Sequence, residues 1–110
     1  MSGELFENLV IAETVKLIRT LALDAEPYFY RTRSGMEVDL LLRTPAGVLC
    51  LEIKNRERAA PADLRSMRAL AGALGDRFLG GLVVTHGGSI RALDDDGRFW
   101  SVPLHRLFSS

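Results

Sequence analysis

Three β-forming segments follow one another closely between residues 28 and 54, and only tight turns separate them. Tyr28 to Arg33 is rich in aromatic and β-forming residues, which predicts a first strand. Ser34-Gly35 predicts a tight turn into a second strand, Met36 to Arg43. Thr44 to Gly47 has the composition of a turn and leads into a third strand, Val48 to Lys54. The sequence therefore predicts an antiparallel meander of three strands.

Helical patterns flank this meander on both sides. Residues 3 to 22 carry apolar side chains at helical spacing, which predicts an amphipathic helix. The predicted apolar stripe consists of Phe6, Val10, Leu17 and Leu21, with Ile11, Thr14 and Ile18 beside it. Pro61 predicts the start of a second helix that runs to about Leu74, because proline is tolerated in the first helical turn.

A short apolar strand is predicted after the second helix. Leu79 to Thr85 is mostly apolar, which favours a strand buried on both faces. A helix between two strands is typical of a crossover connection, so this strand is expected to run parallel to the third. Ile90 to Leu93 and Arg98 to Val102 flank an Asp-Asp-Asp-Gly turn and predict a hairpin. Pro103 to Phe108 predicts a final helical turn.

Length and composition indicate one domain spanning residues 1 to 110. Hydrophobic residues make up 47% and charged residues 25%, as in globular proteins. No apolar run approaches the ~20 residues that a membrane span needs. The lone Cys50 excludes an internal disulfide and favours a reducing compartment, so we expect a cytoplasmic protein without a membrane partner. The predicted fold class is α/β with a mixed sheet, in the order α-β-β-β-α-β followed by a β-hairpin and a short helical tail.

The net charge of zero argues against nucleic-acid binding through overall positive charge. Contact with nucleic acid would instead need a local patch or metal ions. Four arginines could line a phosphate groove, although each alone is better explained as solvated surface: Arg56, Arg58, Arg65 and Arg68. The aromatic residues of the first strand are interpreted as strand packing rather than base-stacking platforms: Tyr28, Phe29 and Tyr30.

Strand alternation predicts which side chains of the meander share a face. In the second strand one face consists of Val38, Leu40 and Leu42, and the other of Glu37, Asp39 and Leu41. In the third strand one face consists of Leu49, Leu51 and Ile53, and the other of Cys50, Glu52 and Lys54. Because a short turn makes these strands neighbours, Asp39 and Glu52 are predicted to converge on one side of the sheet.

Two carboxylates in apolar surroundings need compensating positive charge, because an uncompensated buried charge is expensive. Lys54 alone neutralises only one of Asp39 and Glu52. A divalent metal balances the charge, and Mg²⁺ typically takes one or two carboxylates together with waters and phosphate oxygens. Glu7 lies near the centre of the apolar stripe of the first helix, so it is predicted to point toward the same layer.

These residues and their order carry a family resemblance. Glu7, Asp39 and Glu52-Ile53-Lys54 resemble the motif of the PD-(D/E)XK nuclease superfamily, whose shared core is helix, three strands, helix and strand. Longer segments are similar to the C-terminal nuclease-like domain of bacterial and archaeal AAA-type ATPases: Gly3 to Asn8, Tyr30 to Thr32, Gly35 to Asp39 and Leu51 to Lys54. The resemblance covers roughly residues 3 to 86. Val38 replaces the motif's proline, and no P-loop motif occurs, so the chain is a stand-alone relative or a fragment.

The resemblance implies a restriction-endonuclease-like core and metal-dependent hydrolysis of DNA phosphodiesters. It implies that Asp39, Glu52 and often Glu7 bind Mg²⁺ or Mn²⁺, and that Lys54 assists the attacking water, which makes all four catalytic candidates. DNA is the implied substrate. An ATPase, as a partner or as a missing domain, and a second copy in a homodimer are the implied partners. From the residues alone, Asp39 could instead form a simple ion pair with Lys54, and Glu7 could pair with Arg31.

The alternative function belongs to another class, a non-catalytic interaction or regulatory domain that retains the nuclease fold. Zero net charge and small size favour this alternative, because little surface is left for gripping a duplex. Exposed apolar surface near Phe99, Trp100 and Phe108 would support it. An intact set of two carboxylates and a lysine favours the enzyme.

Overall fold

A six-stranded mixed sheet forms the centre of the computed structural model, which describes residues 2–33 and 35–107. Its strands are β1 (Glu26–Arg31), β2 (Glu37–Thr44), β3 (Gly47–Ile53), β4 (Phe78–Thr85), β5 (Arg91–Ala92) and β6 (Phe99–Pro103). The helices are α1 (Gly3–Thr20), α2 (Arg65–Leu74) and α3 (Leu104–Leu107), with 3₁₀ turns at Pro61–Leu64 and Gly75–Arg77. The strand order across the sheet is β1-β2-β3-β4-β6-β5. None of the helices within the described residues is long and apolar enough to cross a membrane.

The sheet confirms the predicted meander and the predicted crossover. β1, β2 and β3 pair in antiparallel fashion, and β4 pairs with β3 in parallel. β5 and β6 form the predicted antiparallel pair, although β6 also lies parallel to β4 and so extends the main sheet. The α/β class and the order of elements are therefore as predicted. Phe108, the predicted end of the helical tail, and Ser34, in the first predicted turn, lie outside the described residues.

Helix α1 begins and ends with defined hydrogen bonds. The Ser2 hydroxyl accepts from the backbone N–H of Leu5 at 3.1 Å, which caps the first turn. At the other end the N–H of Ala22 donates to Arg19 and that of Leu23 donates to Ile18, the bond pattern of a Schellman motif. Ala22 has a φ of 51°, in the left-handed region. The helix therefore ends at Thr20, and Leu21, predicted on the buried stripe, is 57% exposed.

The two long helices pack on opposite faces of the sheet. Phe6 and Val10 of α1 pack with a buried cluster that also contains Leu40, Leu51, Ile53 and Val84. The face beneath α2 carries a second buried cluster, which includes Val38, Val48, Cys50, Met67, Val83 and Phe99. Neighbouring residues such as Cys50 and Leu51 belong to different clusters, as strand alternation requires. Phe99 is only 1% exposed, so it does not provide the exposed interface surface that was predicted, whereas Trp100 is 37% exposed.

Strand β2 contains a bulge next to Asp39. Tyr28 of β1 lies opposite Leu41, and Tyr30 lies opposite Val38, so β2 has one residue more than β1 between these pairs. Such an extra residue interrupts alternation and bends the strand. Val38 accordingly packs in the cluster beneath α2, while Leu40 packs in the cluster beneath α1. The prediction that Val38, Leu40 and Leu42 share one face is therefore wrong at Val38.

Candidate active site

The backbone ladder between β2 and β3 gives way to side-chain hydrogen bonds at the two predicted carboxylates. The paired register runs from Thr44 opposite Gly47 to Leu40 opposite Leu51. Beyond that point the N–H of Asp39 donates to Oε1 of Glu52 at 3.2 Å, and the N–H of Ile53 donates to Oδ2 of Asp39 at 2.7 Å. Each carboxylate thus accepts a bond from the backbone of the opposite strand. The bulge and the end of the ladder bring Asp39 and Glu52 together, as the sequence predicts.

Lys54 lies beside this pair of carboxylates. Its Nζ is 3.7 Å from Oε2 of Glu52, and its side chain is 35% exposed. Its backbone N–H donates to Val84 at 2.9 Å, so the segment stays attached to β4 beyond the end of β3. Lys54 pairs with Glu52 here, and no ion pair with Asp39 is present among the described residues.

The electrostatics of the site show that its ionised carboxylates are poorly compensated. Glu52 is 6% exposed, and burial, followed by repulsion from Asp39, raises the pKa of its carboxyl to about 7. Burial also raises the pKa of Asp39, although the hydrogen bond from Ile53 and the charge of Lys54 oppose that shift. Both carboxylates therefore favour a nearby cation in addition to Lys54.

Glu7 approaches the site from helix α1. It lines a pocket together with Asp39, Glu37, Phe29 and Arg31. Burial, followed by repulsion from Asp39 and Glu37, raises the pKa of the Glu7 carboxyl. The proposed pairing of Glu7 with Arg31 is not seen within residues 2–33 and 35–107, because Arg31 Nε lies 3.0 Å from Oε1 of Glu37. Glu7 thus contributes negative charge at the edge of the site.

Two residues of the site, Asp39 and Glu52, carry oxygen atoms of the kind that a small divalent cation prefers. In the part of the chain that the structure describes, no three His, Cys, Asp or Glu side chains form a group that could hold a metal ion. Asp39 and Glu52 nevertheless offer two carboxylates that backbone N–H groups hold in place. Mg²⁺ commonly takes one or two carboxylates and completes its shell with waters and substrate oxygens. The residues present are compatible with that mode, and direct ligation by Glu7 stays a prediction.

An ion pair between the buried Asp63 and the exposed Arg56 supports the segment that follows the site. Asp63 is 8% exposed, and its carboxylate accepts from a guanidinium nitrogen of Arg56 and, at 2.7 Å, from the backbone N–H of Ala60. Arg56 is exposed, in agreement with its interpretation as solvated surface, but the sequence interpretation missed its partner Asp63. The signal available was an aspartate placed three residues after Ala60 at the start of a helical segment, where acidic side chains commonly accept backbone hydrogen bonds.

The edge strand carries an exposed aromatic side chain that the sequence interpretation placed in the packing. Phe29 is 74% exposed and Tyr28 is 40% exposed, whereas Tyr30 is partly buried against the cluster beneath α2. The interpretation is therefore wrong for Phe29. Since β1 lies at the edge of the sheet, one strand away from Asp39, its exposed ring borders the acidic pocket.

A family model described as Domain of unknown function (DUF4143) matches residues 2–107. A search of curated proteins found no match. The matched segment contains α1, the whole sheet and each of the four candidate catalytic residues.

Proposed function

The chain belongs to the DUF4143 family of domains of unknown function, and we propose that it is a metal-dependent nuclease domain of the PD-(D/E)XK type that hydrolyses DNA phosphodiesters in the cytoplasm. The observation that carries the proposal is that the Asp39 and Glu52 carboxylates each accept a backbone hydrogen bond from the opposite strand, with Lys54 alongside. The order of helices and strands agrees with the order that the sequence resemblance implies, which supports a restriction-endonuclease-like fold.

Each residue has a defined role in this proposal. Asp39 and Glu52 hold Mg²⁺ or Mn²⁺, and the backbone N–H groups of Ile53 and Asp39 keep the two carboxylates in place. The bound ion polarises a phosphoryl oxygen and makes a water molecule more acidic. The ammonium of Lys54 stabilises the negative charge that develops during attack on the phosphorus. Glu7 adds negative charge at the rim, which strengthens the attraction for a cation.

The burial of the carboxylates supports a cation site over a purely structural pair. Two partly or fully buried acids, Asp39 and Glu52, and a third carboxylate at Glu7 are all attracted by one ammonium group, that of Lys54. Side chains that serve only to stabilise the fold gain little from a surplus of negative charge. Removing these charges from water costs free energy that other interactions must compensate. A divalent cation supplies the missing positive charge and converts this cost into binding free energy.

Calorimetric titration with Mg²⁺ and Mn²⁺ tests the proposal. We expect binding by the wild type, loss of binding in Asp39→Asn and Glu52→Gln, and retained binding in the control Glu13→Gln, which removes a carboxylate on α1 away from the acidic pocket. Parallel assays would measure cleavage of duplex, single-stranded and branched DNA and of RNA with each metal. Lys54→Met should retain metal binding and lose cleavage. A wild type that binds neither ion at millimolar concentration would overturn the proposal.

A second candidate function is a non-catalytic interaction domain, favoured by the exposed apolar residues. Phe29 on the edge strand is 74% exposed, and Leu21 and Leu23 after α1 are 57% and 50% exposed. Its partner would be an ATPase, as a separate protein or an attached domain, or a second copy of the chain. Light scattering at rising protein concentration tests the last possibility. Self-association that Phe29→Ser abolishes, together with an absence of metal binding, would favour this function over the nuclease.

A further inference from the structure

A basic pocket lies beyond the carboxyl ends of the parallel strands β3 and β4. Its lining includes Glu57 and Arg58 after β3, Gly87, Gly88 and Ser89 after β4, and Arg91 of β5. Ligands of open α/β sheets commonly bind at this end of the strands. The position of the pocket therefore indicates a binding site. The proposed chemistry at Asp39 and Glu52 does not itself require this pocket.

Main-chain hydrogen bonds connect this pocket to the candidate active site. The N–H of Lys54 donates to Val84 at 2.9 Å, and two residues further on the N–H of His86 donates to Arg56 at 3.0 Å. The chain after β3 thus runs alongside the chain after β4 from the active-site lysine to the pocket. Glu52 and Arg58 are six residues apart, so their Cα atoms lie within about 20 Å of each other even in a fully extended chain.

The guanidinium groups of the pocket are available for an anion. Arg58 and Arg91 are both exposed, and within residues 2–33 and 35–107 neither has a carboxylate at ion-pair distance. Glu57 is the acidic residue in the lining, and its side chain packs closely against Gly87. Two arginines against one glutamate leave the pocket with net positive charge. Guanidinium groups suit phosphate because their planar N–H pairs match two phosphate oxygens.

The loop after β4 adds backbone donors. Among the described residues, no acceptor receives the N–H of Gly87, Gly88 or Ser89. Gly88 has a φ of 80°, and a left-handed residue of this kind turns successive N–H groups toward a common side, as in anion-binding nests. The buried Thr85 hydroxyl donates to the carbonyl of Gly87 at 3.1 Å and anchors the loop. Side chains and backbone therefore offer donors of the kind that a phosphate group accepts.

We propose that this pocket binds a backbone phosphate of the nucleic-acid strand whose scissile phosphodiester lies at Asp39, Glu52 and Lys54, an inference that rests on the proposed nuclease function. With about 3.4 Å of rise per nucleotide along one strand, a span of about 20 Å places the bound phosphate within roughly six nucleotides of the cleavage position. The pocket fixes the register of the strand without reading its bases, because phosphate contacts carry no sequence information.

Fluorescence anisotropy in EDTA tests this site without metal or cleavage. The probe is a fluorescein-labelled 20-nucleotide DNA, single-stranded or duplex, titrated at several salt concentrations. Arg58→Gln/Arg91→Gln is expected to raise Kd at least tenfold and to lower the salt slope by about 1 to 2. The control Arg19→Gln/Arg77→Gln removes the same charge and is expected to stay within twofold of wild type. Wild-type protein without measurable binding, or equal effects of the two variants, overturns the proposal.

Two further arms distinguish the source of the phosphate. Oligonucleotides with a 5′-phosphate and with a 5′-hydroxyl are expected to bind equally to a backbone site. A preference above tenfold for the 5′-phosphate, or binding of inorganic phosphate alone, would overturn the backbone assignment. Amide NMR shifts of Gly87, Gly88 and Ser89 on addition of the DNA give a readout that needs no variant. Unshifted amides at saturating DNA would contradict the proposal.

The experiments distinguish a failure of the pocket proposal from a failure of the nuclease proposal. Failure of the nuclease proposal would appear as absent metal binding while the arginine-dependent affinity in EDTA persists. Failure of the pocket proposal would appear as intact metal binding and cleavage with no effect of Arg58→Gln/Arg91→Gln on Kd.

Discussion

Replacing Glu52 by glutamine is expected to stabilise the metal-free protein at neutral pH. Burial raises the pKa of the Glu52 carboxyl from an ordinary value of 4.5 to about 7 in the folded state. The folded protein therefore binds this proton more tightly than the unfolded chain does. The contribution of Glu52 to the free energy of unfolding is therefore most favourable below pH 4.5. It falls as the pH rises and is least favourable above about pH 7. Glutamine is neutral at every pH and avoids the loss.

The magnitude follows from the shift. Each pKa unit corresponds to about 1.4 kcal/mol, so ionising Glu52 in the folded state costs on the order of 3 kcal/mol. Glutamine keeps an oxygen that can accept from the N–H of Asp39, but it gives up the pairing with Lys54 at 3.7 Å. The attraction of Lys54 already opposes the rise of the Glu52 pKa, so the cost of ionisation is net of that pairing. The expected gain at pH 8 is therefore about 3 kcal/mol.

Urea unfolding in EDTA at pH 5 and pH 8 measures this gain. The advantage of Glu52→Gln over wild type should be present at pH 8 and much smaller at pH 5, and Glu13→Gln, which removes a carboxylate on α1 away from the acidic pocket, is the matched control. Addition of Mg²⁺ should then raise the stability of the wild type and leave Glu52→Gln unchanged, because a ligand stabilises only the state that binds it. A Glu52→Gln variant that is less stable than wild type at pH 8 in EDTA would refute the reasoning.

Three other expectations concern the scaffold. Ala22→Gly should raise the free energy of unfolding by about 0.5 to 1 kcal/mol, because glycine adopts the left-handed conformation without steric cost; a lower urea midpoint would contradict this. Asp63→Asn should lower the free energy of unfolding by about 1 kcal/mol, since the half-exposed Arg56 guanidinium loses its charged partner; an unchanged thermal midpoint would contradict this. Burial raises the pKa of the Cys50 thiol to about 12, so iodoacetamide at pH 8 should modify the protein only as fast as it unfolds. Rapid labelling of the folded protein would contradict that expectation.

Local sequence patterns predicted the helices and strands of the fold. They failed where contacts between residues distant in sequence determine whether a side chain is buried. The meander follows from two short turns, which leave no other arrangement for three successive strands. The end of α1 was missed because Ala22, rather than glycine, adopts the left-handed conformation. The burial of Phe99 was missed because β6 lies beside β4, a pairing between strands that no local signal specifies. Phe29 is exposed because β1 is an edge strand, which sequence alternation cannot reveal.

The candidate site was predictable in its composition and not in its construction. Alternation and the turn between β2 and β3 suffice to predict that Asp39 approaches Glu52. The bulge was invisible, because a period-two rule assumes that neither strand carries an extra residue. The reciprocal bonds between Asp39, Glu52 and the backbone depend on that bulge and on the end of the ladder at Leu40. The same local pattern would describe an ordinary pair of strands with exposed carboxylates.

The two ends of the sheet differ in what they can accommodate. At the end where the β2–β3 turn lies, a side chain at Gly47 would overlap the carbonyl of Arg77, so the backbone there is closely packed. At the opposite end the β2–β3 ladder stops, β2 bulges, and the chain after β4 turns through Gly88. Backbone groups that the ladder no longer pairs are open to a ligand at this end. A nucleic-acid strand bound at this end of the sheet would meet both the acidic site and the basic pocket. A nucleic-acid strand bound at the Gly47 end would meet neither.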